Sequence, residues 1–215
     1  MAKRLEVAKP DRGGILFAGA ERVIREIAKA VQTEGFPVLL VDTNQRHTAR
    51  ARMDGLPAEF GSILSEYVQE ELDLSGISRL LAMTTNDEIN TLATMELADV
   101  FGRAEVYQLA PEKLDAARRN SIPQHLRARL LFHTSVTTEY LRARFREGAI
   151  VKRTRITDDF TFTDFQAMYG DSALVMFVVR DPNTLDICVA EITPQPRAGQ
   201  TVIALVDPVK VAEPN

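Results

Sequence analysis

One stretch near the start of the chain limits its possible folds more than any other. It runs from Gly14 to Ala28 and reads G-I-L-F-A-G-A-E-R-V-I-R-E-I-A. Its first part, Ile15 to Ala18, is a short apolar run typical of a buried strand, and Gly19 then leads into a pattern with helical spacing of apolar residues. A buried strand that turns through a glycine into a helix is how the first βα unit of a dinucleotide-binding fold begins.

The second strand supports this interpretation. It runs from Pro37 to Val41 and ends in Asp42, while Gly35 ends the preceding helix. Asp42 follows Gly19 by 23 residues, close to the spacing of about 20 expected for a carboxylate that hydrogen-bonds a ribose. The alternative is a carboxylate that caps the next helix, for which Thr43 and Asn44 are also N-cap candidates.

The glycine pattern of such a unit, G-x-G-x-x-G, is incomplete in this chain. If Gly19 is the first glycine, Glu21 and Ile24 occupy the second and third positions. In the register one residue earlier, the three glycine positions are occupied by Ala18, Ala20 and Val23. Neither register supplies the second glycine, which lets the backbone approach a pyrophosphate. In the Gly19 register, Glu21 would also point a negative charge at the phosphate position. The pattern therefore predicts the fold more firmly than the cofactor.

Three further strands are predicted before residue 110, and the elements between them have helical character. The strands are Ala58–Phe60, Leu80–Thr84 and Val106–Leu109, and helices are expected at 44–53, 66–72 and 85–101. Thr85 and Glu88 have the spacing of a capping box, and Asn90 is interpreted as structural or dimer-facing. Five short strands that alternate with helices predict an α/β fold with a Rossmann-like, doubly wound parallel sheet.

The composition changes after residue 110. Residues 111–148 contain eight basic and four acidic residues and have helix-like stretches at 112–119 and 136–147 around a possible strand at 128–132. Its arginines are expected either to face an acidic partner or lipid headgroups, or simply to lie on a solvated helix. From residue 149 onwards, strand-like runs at 149–151, 173–179, 185–190 and 201–206 and a short helix at 164–169 predict a small α+β lobe. The predicted organisation is a lead-in at 1–13, a Rossmann-like lobe at 14–110, a basic connector at 111–148 and a C-terminal lobe at 149–215.

Composition excludes several classes of function. The net charge of -4 argues against a general nucleic-acid binder, and no apolar run is long enough to cross a bilayer. The single cysteine, Cys188, lies in an apolar stretch and is expected in the core. The three histidines lack the spacing of a zinc site, and no nucleophile is paired with a base. We therefore expect a soluble chain without catalytic residues or metal ligands.

Three strings of residues resemble a known family. L-L-V-D-T-N, G-L-P-x-x-x-G-S-I-L-S-E and L-L-A-M-T-T-N-D-E-I-N look like the nucleotide-binding lobe of the regulator-of-potassium-conductance (RCK, or TrkA-N) family. The likeness is greatest to the versions fused behind the membrane domain of bacterial sodium/proton antiporters. It covers residues 14–110 well and extends weakly to A-G-Q-T-V-I-A-L-V near the end.

The resemblance implies a set of nucleotide-binding positions. Gly19 matches the first glycine of the phosphate turn, Asp42 the ribose acid, and Thr84 and Asn86 the loop that borders the adenosine. Ser62 stands where many relatives have an aspartate. With the residues that flank these positions, the candidates are Gly19, Ala20, Glu21, Arg22, Asp42, Thr43, Asn44, Ser62, Thr84 and Asn86.

The resemblance also implies a function. It indicates a non-catalytic regulatory domain of a monovalent cation/proton antiporter, on the cytoplasmic side of the bacterial inner membrane. Such a domain dimerises, binds AMP, ADP or NAD(H), and acts on a membrane transport domain of the same or a partner chain. The alternatives are an NAD-dependent oxidoreductase and a free-standing regulatory subunit of a potassium uptake system. An oxidoreductase needs an intact pyrophosphate turn and a proton donor, and the sequence displays neither.

Overall fold

A six-stranded parallel sheet forms the centre of the first lobe. The computed structural model describes residues 13–112, 128–190, 192 and 195–208. The strands of this sheet are β1 (Gly14–Ala18), β2 (Val38–Asp42), β3 (Ala58–Phe60), β4 (Ile77–Ala82), β5 (Val106–Gln108) and β6 (Arg129–Leu130). Their spatial order is β3-β2-β1-β4-β5-β6, and all neighbouring pairs are parallel. This order confirms the prediction of a doubly wound α/β fold, and it reverses direction between β1 and β4.

Helices cover this sheet. They are α1 (Arg22–Thr33), α2 (Gln45–Met53), α3 (Asp87–Glu96) and α4 (Ala98–Phe101), with a π-helical turn at Tyr67–Glu71 and a 3₁₀ turn at Arg103–Glu105. All five residues of β1 are buried, which explains why this strand reads as an unbroken apolar run. Apolar side chains alternate along it, because Ile15 and Phe17 pack into one cluster while Leu16 and Ala18 pack into another.

The second lobe contains a four-stranded antiparallel sheet. After α5 (Thr138–Arg146), the chain forms β7 (Ile150–Arg155), α6 (Phe162–Tyr169), a 3₁₀ turn (Gly170–Ser172), β8 (Leu174–Asp181), β9 (Thr184–Ile187) and β10 (Thr201–Val206). The strand order is β7-β10-β8-β9. A small antiparallel α+β lobe is therefore confirmed. One face of β10 packs with α6 through Val202 and Ala204, while the other joins the core of the first lobe through Ile203 and Leu205.

The two lobes share a continuous hydrophobic core. A single cluster of buried residues reaches from Ile15 on β1 through Ile27 on α1 to Phe177 on β8 and Ile203 on β10. Helix α1 contacts β2 of the first sheet and β7 of the second. This double coverage explains why buried residues lie on more of its circumference than the single stripe of a surface helix.

Several elements differ from the sequence-based expectations. Strand β4 begins at Ile77 and ends at Ala82 rather than spanning Leu80–Thr84, and the expected helix at 66–72 is the π-helical turn. The possible strand at 128–132 is confirmed as β6, and it adds a sixth strand to the parallel sheet, for which five had been predicted. The expected helix at 112–119 falls almost entirely on residues outside the described part, as does most of the predicted lead-in. The four segment limits remain predictions.

Candidate functional site

A cleft of about 470 Å³ opens where the strand order reverses. It lies beyond the carboxyl ends of β1, β2 and β4, the usual position of ligand sites in open α/β sheets, and its volume is in the range of small-molecule pockets. Eight of the ten candidate residues line it: Gly19, Glu21, Asp42, Thr43, Asn44, Ser62, Thr84 and Asn86. The fold thus brings together positions from four separate loops.

The first loop turns sharply at Gly19. Its φ is +113°, and a Cβ there would lie 2.7 Å from Cδ1 of Ile24. Ile24 is 2% exposed and fills the space that a glycine at the third position of the motif would leave open. A tight turn directly after β1 is the role of the first motif glycine, which favours the Gly19 register over the earlier one.

Asp42, at the end of β2, is held by hydrogen bonds within the protein. Its Oδ2 accepts from the backbone N–H of Ala20 at 2.7 Å and lies 3.0 Å from Nδ1 of His47. Its Oδ1 accepts from the backbone N–H of Asn44 at 2.7 Å. Asp42 does not cap α2, because Asn44 is the N-cap and accepts from the N–H of Arg46. The carboxylate instead joins the turn after β1 to the start of α2, and it still faces the cleft.

The loop after β4 is fixed by Asn90. Its Oδ1 accepts from the backbone N–H of Thr84 at 2.9 Å and from the Thr84 hydroxyl at 2.7 Å, and its Nδ2 donates to the Thr84 carbonyl at 2.9 Å. Asn90 is 2% exposed, in keeping with a structural role. The predicted Thr85/Glu88 capping box is wrong. Asn86 is the N-cap of α3 and accepts from the N–H groups of Glu88 and Ile89.

Ser62 lies in the loop after β3, at the edge of the cleft. Its hydroxyl accepts from the N–H of Leu64 at 3.2 Å, and its carbonyl accepts from the Ser65 hydroxyl at 2.7 Å. These local bonds hold the loop in a turn, where a short polar side chain is suited to this pattern. Ser62 therefore presents a small polar wall to the cleft.

The sequence pattern suggested that Glu21 points an unpaired negative charge at the phosphate position. In the structure its carboxylate is paired. Arg142 of α5 holds its carboxylate with both arms of the guanidinium: Nε donates to Oε2 at 2.7 Å, and Nη2 donates to Oε1. These hydrogen bonds raise the pKa of Arg142 above its usual value. The pair is half-buried, so the negative charge of Glu21 is largely compensated. No local sequence signal indicated this partner, which is 121 residues away.

Ala20 and Arg22 do not line the cleft. Ala20 is fully buried; its N–H bonds Asp42, and its carbonyl accepts from Nη1 of Arg25 at 3.0 Å. Arg22 is exposed and faces a neighbouring groove of about 410 Å³ between α1 and α5. The groove is lined by Glu21, Arg22, Val23, Glu139, Arg142, Phe145 and Arg146. Among the described residues, Glu21 alone lines both the groove and the cleft.

Sequence reasoning also missed His47. The residue lies in the first turn of α2, lines the cleft, and has its Nε2 3.4 Å from Nδ2 of Asn44. A titratable ring five positions after Asp42 was a usable signal, since the first turn of a helix can fold back onto the residue that precedes it. Arg142 had no such local signal.

Across residues 13–112, 128–190, 192 and 195–208, nowhere do three or more His, Cys, Asp or Glu side chains gather as metal ligands. Within the same ranges, no helix combines the length and apolar character needed to cross a bilayer. Cys188 is buried, and burial raises the pKa of its thiol to about 12.

Several solved structures are similar to this chain at low sequence identity. The NAD(P)-binding domain of an exopolyphosphatase-related protein from Archaeoglobus fulgidus is 18% identical, with a TM-score of 0.46, over 63% of this chain and 96% of that one. The GsuK RCK domain is 14% identical, with a TM-score of 0.46, over 92% of this chain and 44% of that one. The GsuK channel bound to NAD is 12% identical, with a TM-score of 0.46, over 91% and 36%.

The chain spans less than half the length of these two GsuK chains. At these scores the likenesses carry no argument about function. No curated protein matches the chain in sequence. A family model does match it, over residues 15–118, and its description is the TrkA-N domain. The matched residues include the loops after β1, β2, β3 and β4 that line the cleft, and the match confirms the resemblance to the TrkA-N family noted in the sequence.

Proposed function

We propose that this chain is a non-catalytic regulatory module that senses an adenine nucleotide. The observation that carries the proposal is the cleft at the strand-order reversal of a TrkA-N domain, lined by residues of four loops. The ligands proposed are AMP, ADP or NAD(H), with the ribose beside Asp42 and the adenosine beside Thr84 and Asn86. A base bound there would meet apolar side chains as well, since Ile63, Met83 and Ile89 also line the cleft.

The module is proposed to act on a membrane transporter of monovalent cations. A cation/proton antiporter is the favoured partner, as a membrane domain of the same or another chain, which places the module on the cytoplasmic side of the bacterial inner membrane. A subunit of a potassium uptake system is the alternative. Residues 14–110 would bind the nucleotide, and residues 111–148 would connect them to the lobe at 149–215.

A homodimer is the proposed working state. Leu92, Met95 and Val100 are each about half exposed on α3 and α4, and they form an apolar surface that a second copy would cover. Light scattering at tens of micromolar should give twice the chain mass of 23.9 kDa. A mass equal to that of one chain would contradict the dimer.

An oxidoreductase is the less favoured alternative. The polar groups of the cleft, among them Asp42, Thr84 and Asn86, are engaged in hydrogen bonds that fix the loops. Hydride transfer needs a group free to exchange a proton with substrate. We therefore expect no turnover of common carbonyl substrates with NADH or NADPH, and turnover lost in an Asp42→Ala variant would support the enzyme.

Calorimetric titration of the chain with adenosine, AMP, ADP, NAD and NADP tests the proposal. Replacing Ser62 by Trp should fill the cleft and abolish binding. The matched control is Ser75→Trp, an exposed position that precedes β4 and therefore lies at the opposite end of the strands. Binding that survives Ser62→Trp, or no binding of any adenine ligand to the wild type, would contradict the proposal.

A further inference from the structure

The described part of the cleft is poor in basic side chains. Among the described residues that line it there is no lysine or arginine, and its two carboxylates are Glu21 and Asp42. A nucleotide phosphate brings at least one more negative charge. Such a group is bound strongly where hydrogen-bond donors with positive charge can reach it. His47, the basic side chain among these lining residues, is engaged with Asp42. An arginine for the phosphate must therefore come from the edge of the cleft.

Arg142 is the arginine at that edge. Its guanidinium contacts Glu21, the residue that belongs both to the cleft and to the groove beside it. The contact is bidentate, with two parallel N–H donors on two oxygens of one carboxylate. A planar guanidinium binds a phosphate with the same fork, so the carboxylate occupies the position that a phosphate would take.

Helix α5, which carries Arg142, reaches both sides of the cleft. Its N-terminal residue Thr138 donates from its hydroxyl to the carbonyl of Thr84 at 3.0 Å, on the loop after β4. One helical turn further on, Arg142 holds Glu21 on the loop after β1. A ligand between these two loops therefore lies beside α5 along its first turns.

We propose that Arg142 is the phosphate-binding residue of the cleft. Glu21 holds its guanidinium in the empty protein, and the phosphate of a bound mononucleotide takes the place of the carboxylate. This inference rests on the proposed function and makes its ligand more specific: the site selects AMP over adenosine through Arg142. The released carboxylate of Glu21 then faces the groove, where Arg22 and Arg146 lie.

The exchange links ligand binding to the second lobe. The Glu21–Arg142 pair joins the turn after β1 to α5, and α5 is followed directly by β7. When the phosphate replaces Glu21, Arg142 remains compensated while α1 loses its bond to α5. Binding of the phosphate thus replaces a direct ion pair between α5 and the first lobe with a contact made through the ligand.

Binding of adenosine and AMP to four variants tests the assignment. Glu21→Gln removes the competing charge at nearly constant volume, so AMP affinity should rise several-fold while adenosine affinity stays constant. Adding Arg142→Gln to that variant should lower AMP affinity by about ten-fold or more, the effect of losing a charge-assisted pair of hydrogen bonds. Arg142→Lys in the same background should lie between them, because it keeps the charge and loses the fork.

Arg146→Gln, also made in the Glu21→Gln background, is the matched control. Arg146 lies one turn further along α5, faces the same groove and is likewise paired with an acid, Glu139. It does not touch Glu21, so its loss should leave the ratio of AMP to adenosine affinity unchanged. An equal change in that ratio for Arg146→Gln and for Arg142→Gln would overturn the assignment in favour of a general effect of positive charge.

A direct readout separates this inference from the proposed function. In ¹⁵N-labelled protein, the Nε–Hε signal of Arg142, identified by its loss in Arg142→Lys, should shift with AMP and not with adenosine. AMP binding without a shift overturns the inference and leaves the nucleotide function standing. A shift with inorganic phosphate but not with AMP supports the phosphate site and contradicts the nucleotide function. No shift with either ligand and no binding of adenine ligands reject both.

Discussion

Single residues determine the shape of the loop between β1 and α1. Gly19 adopts a φ that is unfavourable for other residues, and Ile24 packs against its open face. Asp42 receives the next N–H, that of Ala20, while Arg25 donates to the Ala20 carbonyl. The loop is thus held by side chains as much as by its own backbone, which allows two of the three motif glycines to be replaced.

Gly19→Ala should lower the free energy of unfolding by about 1–3 kcal/mol, the cost of a positive φ in a residue with a side chain. Contact of the new Cβ with the end of Ile24 adds little, since that side chain can rotate. Gly61→Ala is the control, because a Cβ at Gly61 meets nothing within 4 Å and its φ is not positive. Urea unfolding of both variants measures the difference, and equal loss in both would refute the role assigned to Gly19.

Cys188 should make stability depend on pH in alkaline solution. Burial, and after it the charge of Asp186, raises the pKa of the thiol from about 9 to about 12. The unfolded chain releases this proton at lower pH than the folded one, so the stabilisation is complete below pH 9 and declines as pH rises from there towards 12. Between pH 7 and pH 10 the wild type should lose about 1.4 kcal/mol more than Cys188→Ala.

Urea unfolding at the two pH values measures that loss. The comparison of slopes cancels other groups, including Tyr107, whose pKa is also raised, chiefly by burial. It cancels the packing cost of the smaller side chain as well. Identical pH dependence in wild type and variant would mean that the thiol is accessible to water.

At the scale of elements, α1 is held at one end by α5 and at the other by β7. Glu21 at its start pairs with Arg142 of α5, and Glu34 just after its end pairs with Arg153 of β7 at 2.7 Å. Along its length, Arg25 is 9% exposed and donates from Nε to Asp54 at 2.8 Å. The helix therefore connects the cleft, the loop after α2 and the second sheet.

Replacing Arg25 by Met should destabilise the protein by about 1.5–3 kcal/mol, because it keeps the apolar stem and removes hydrogen bonds from a charged group. The buried carbonyl of Ala20 would lose its partner. Lys29→Met, one turn further on and exposed, is the matched control and should be nearly neutral. Thermal unfolding monitored by circular dichroism compares the two, and equal shifts in melting temperature would contradict the positioning role of Arg25.

Buried strands and the β-α alternation were predictable, because local burial leaves a local pattern. The possible strand at 128–132 was also found, as β6, but its place in the parallel sheet was not predicted, since pairing with β5 leaves no periodic pattern in two residues. The predicted Thr85/Glu88 capping box was wrong because asparagine and threonine are both good N-cap residues. Backbone geometry decides between neighbouring candidates, and here it selects Asn86. Local sequence patterns do not indicate contacts between distant parts of the chain. The Glu21–Arg142 pair and the packing of β7 against α1 were therefore not predicted.

At the scale of the molecule, the shared core makes the two lobes depend on each other. Phe177 of β8 is fully buried in the cluster that also contains Ile15 and Ile27, and its ring lies edge-on to Phe132 at 5.7 Å. Phe165 of α6 is equally buried, but it packs in a separate cluster on the outer side of the second sheet. Two similar side chains of the same lobe thus belong to different cores.

The effects of Phe177→Ala and Phe165→Ala should therefore be similar in free energy but should differ in which elements they destabilise. Each removes a buried phenyl ring, at a cost of about 3–5 kcal/mol. Only the cavity left by Phe177 borders the core of the first lobe, so Phe177→Ala should speed hydrogen exchange at the β1 amides of Ile15–Ala18 as well as in the second sheet. Phe165→Ala should speed exchange in α6 and leave β1 as slow as in the wild type, because its opening is local.

Exchange measured by mass spectrometry on peptides of β1 and α6 distinguishes these outcomes. Protection of β1 that is untouched by Phe177→Ala would mean that the two lobes unfold independently and that the cluster joining them contributes little to stability.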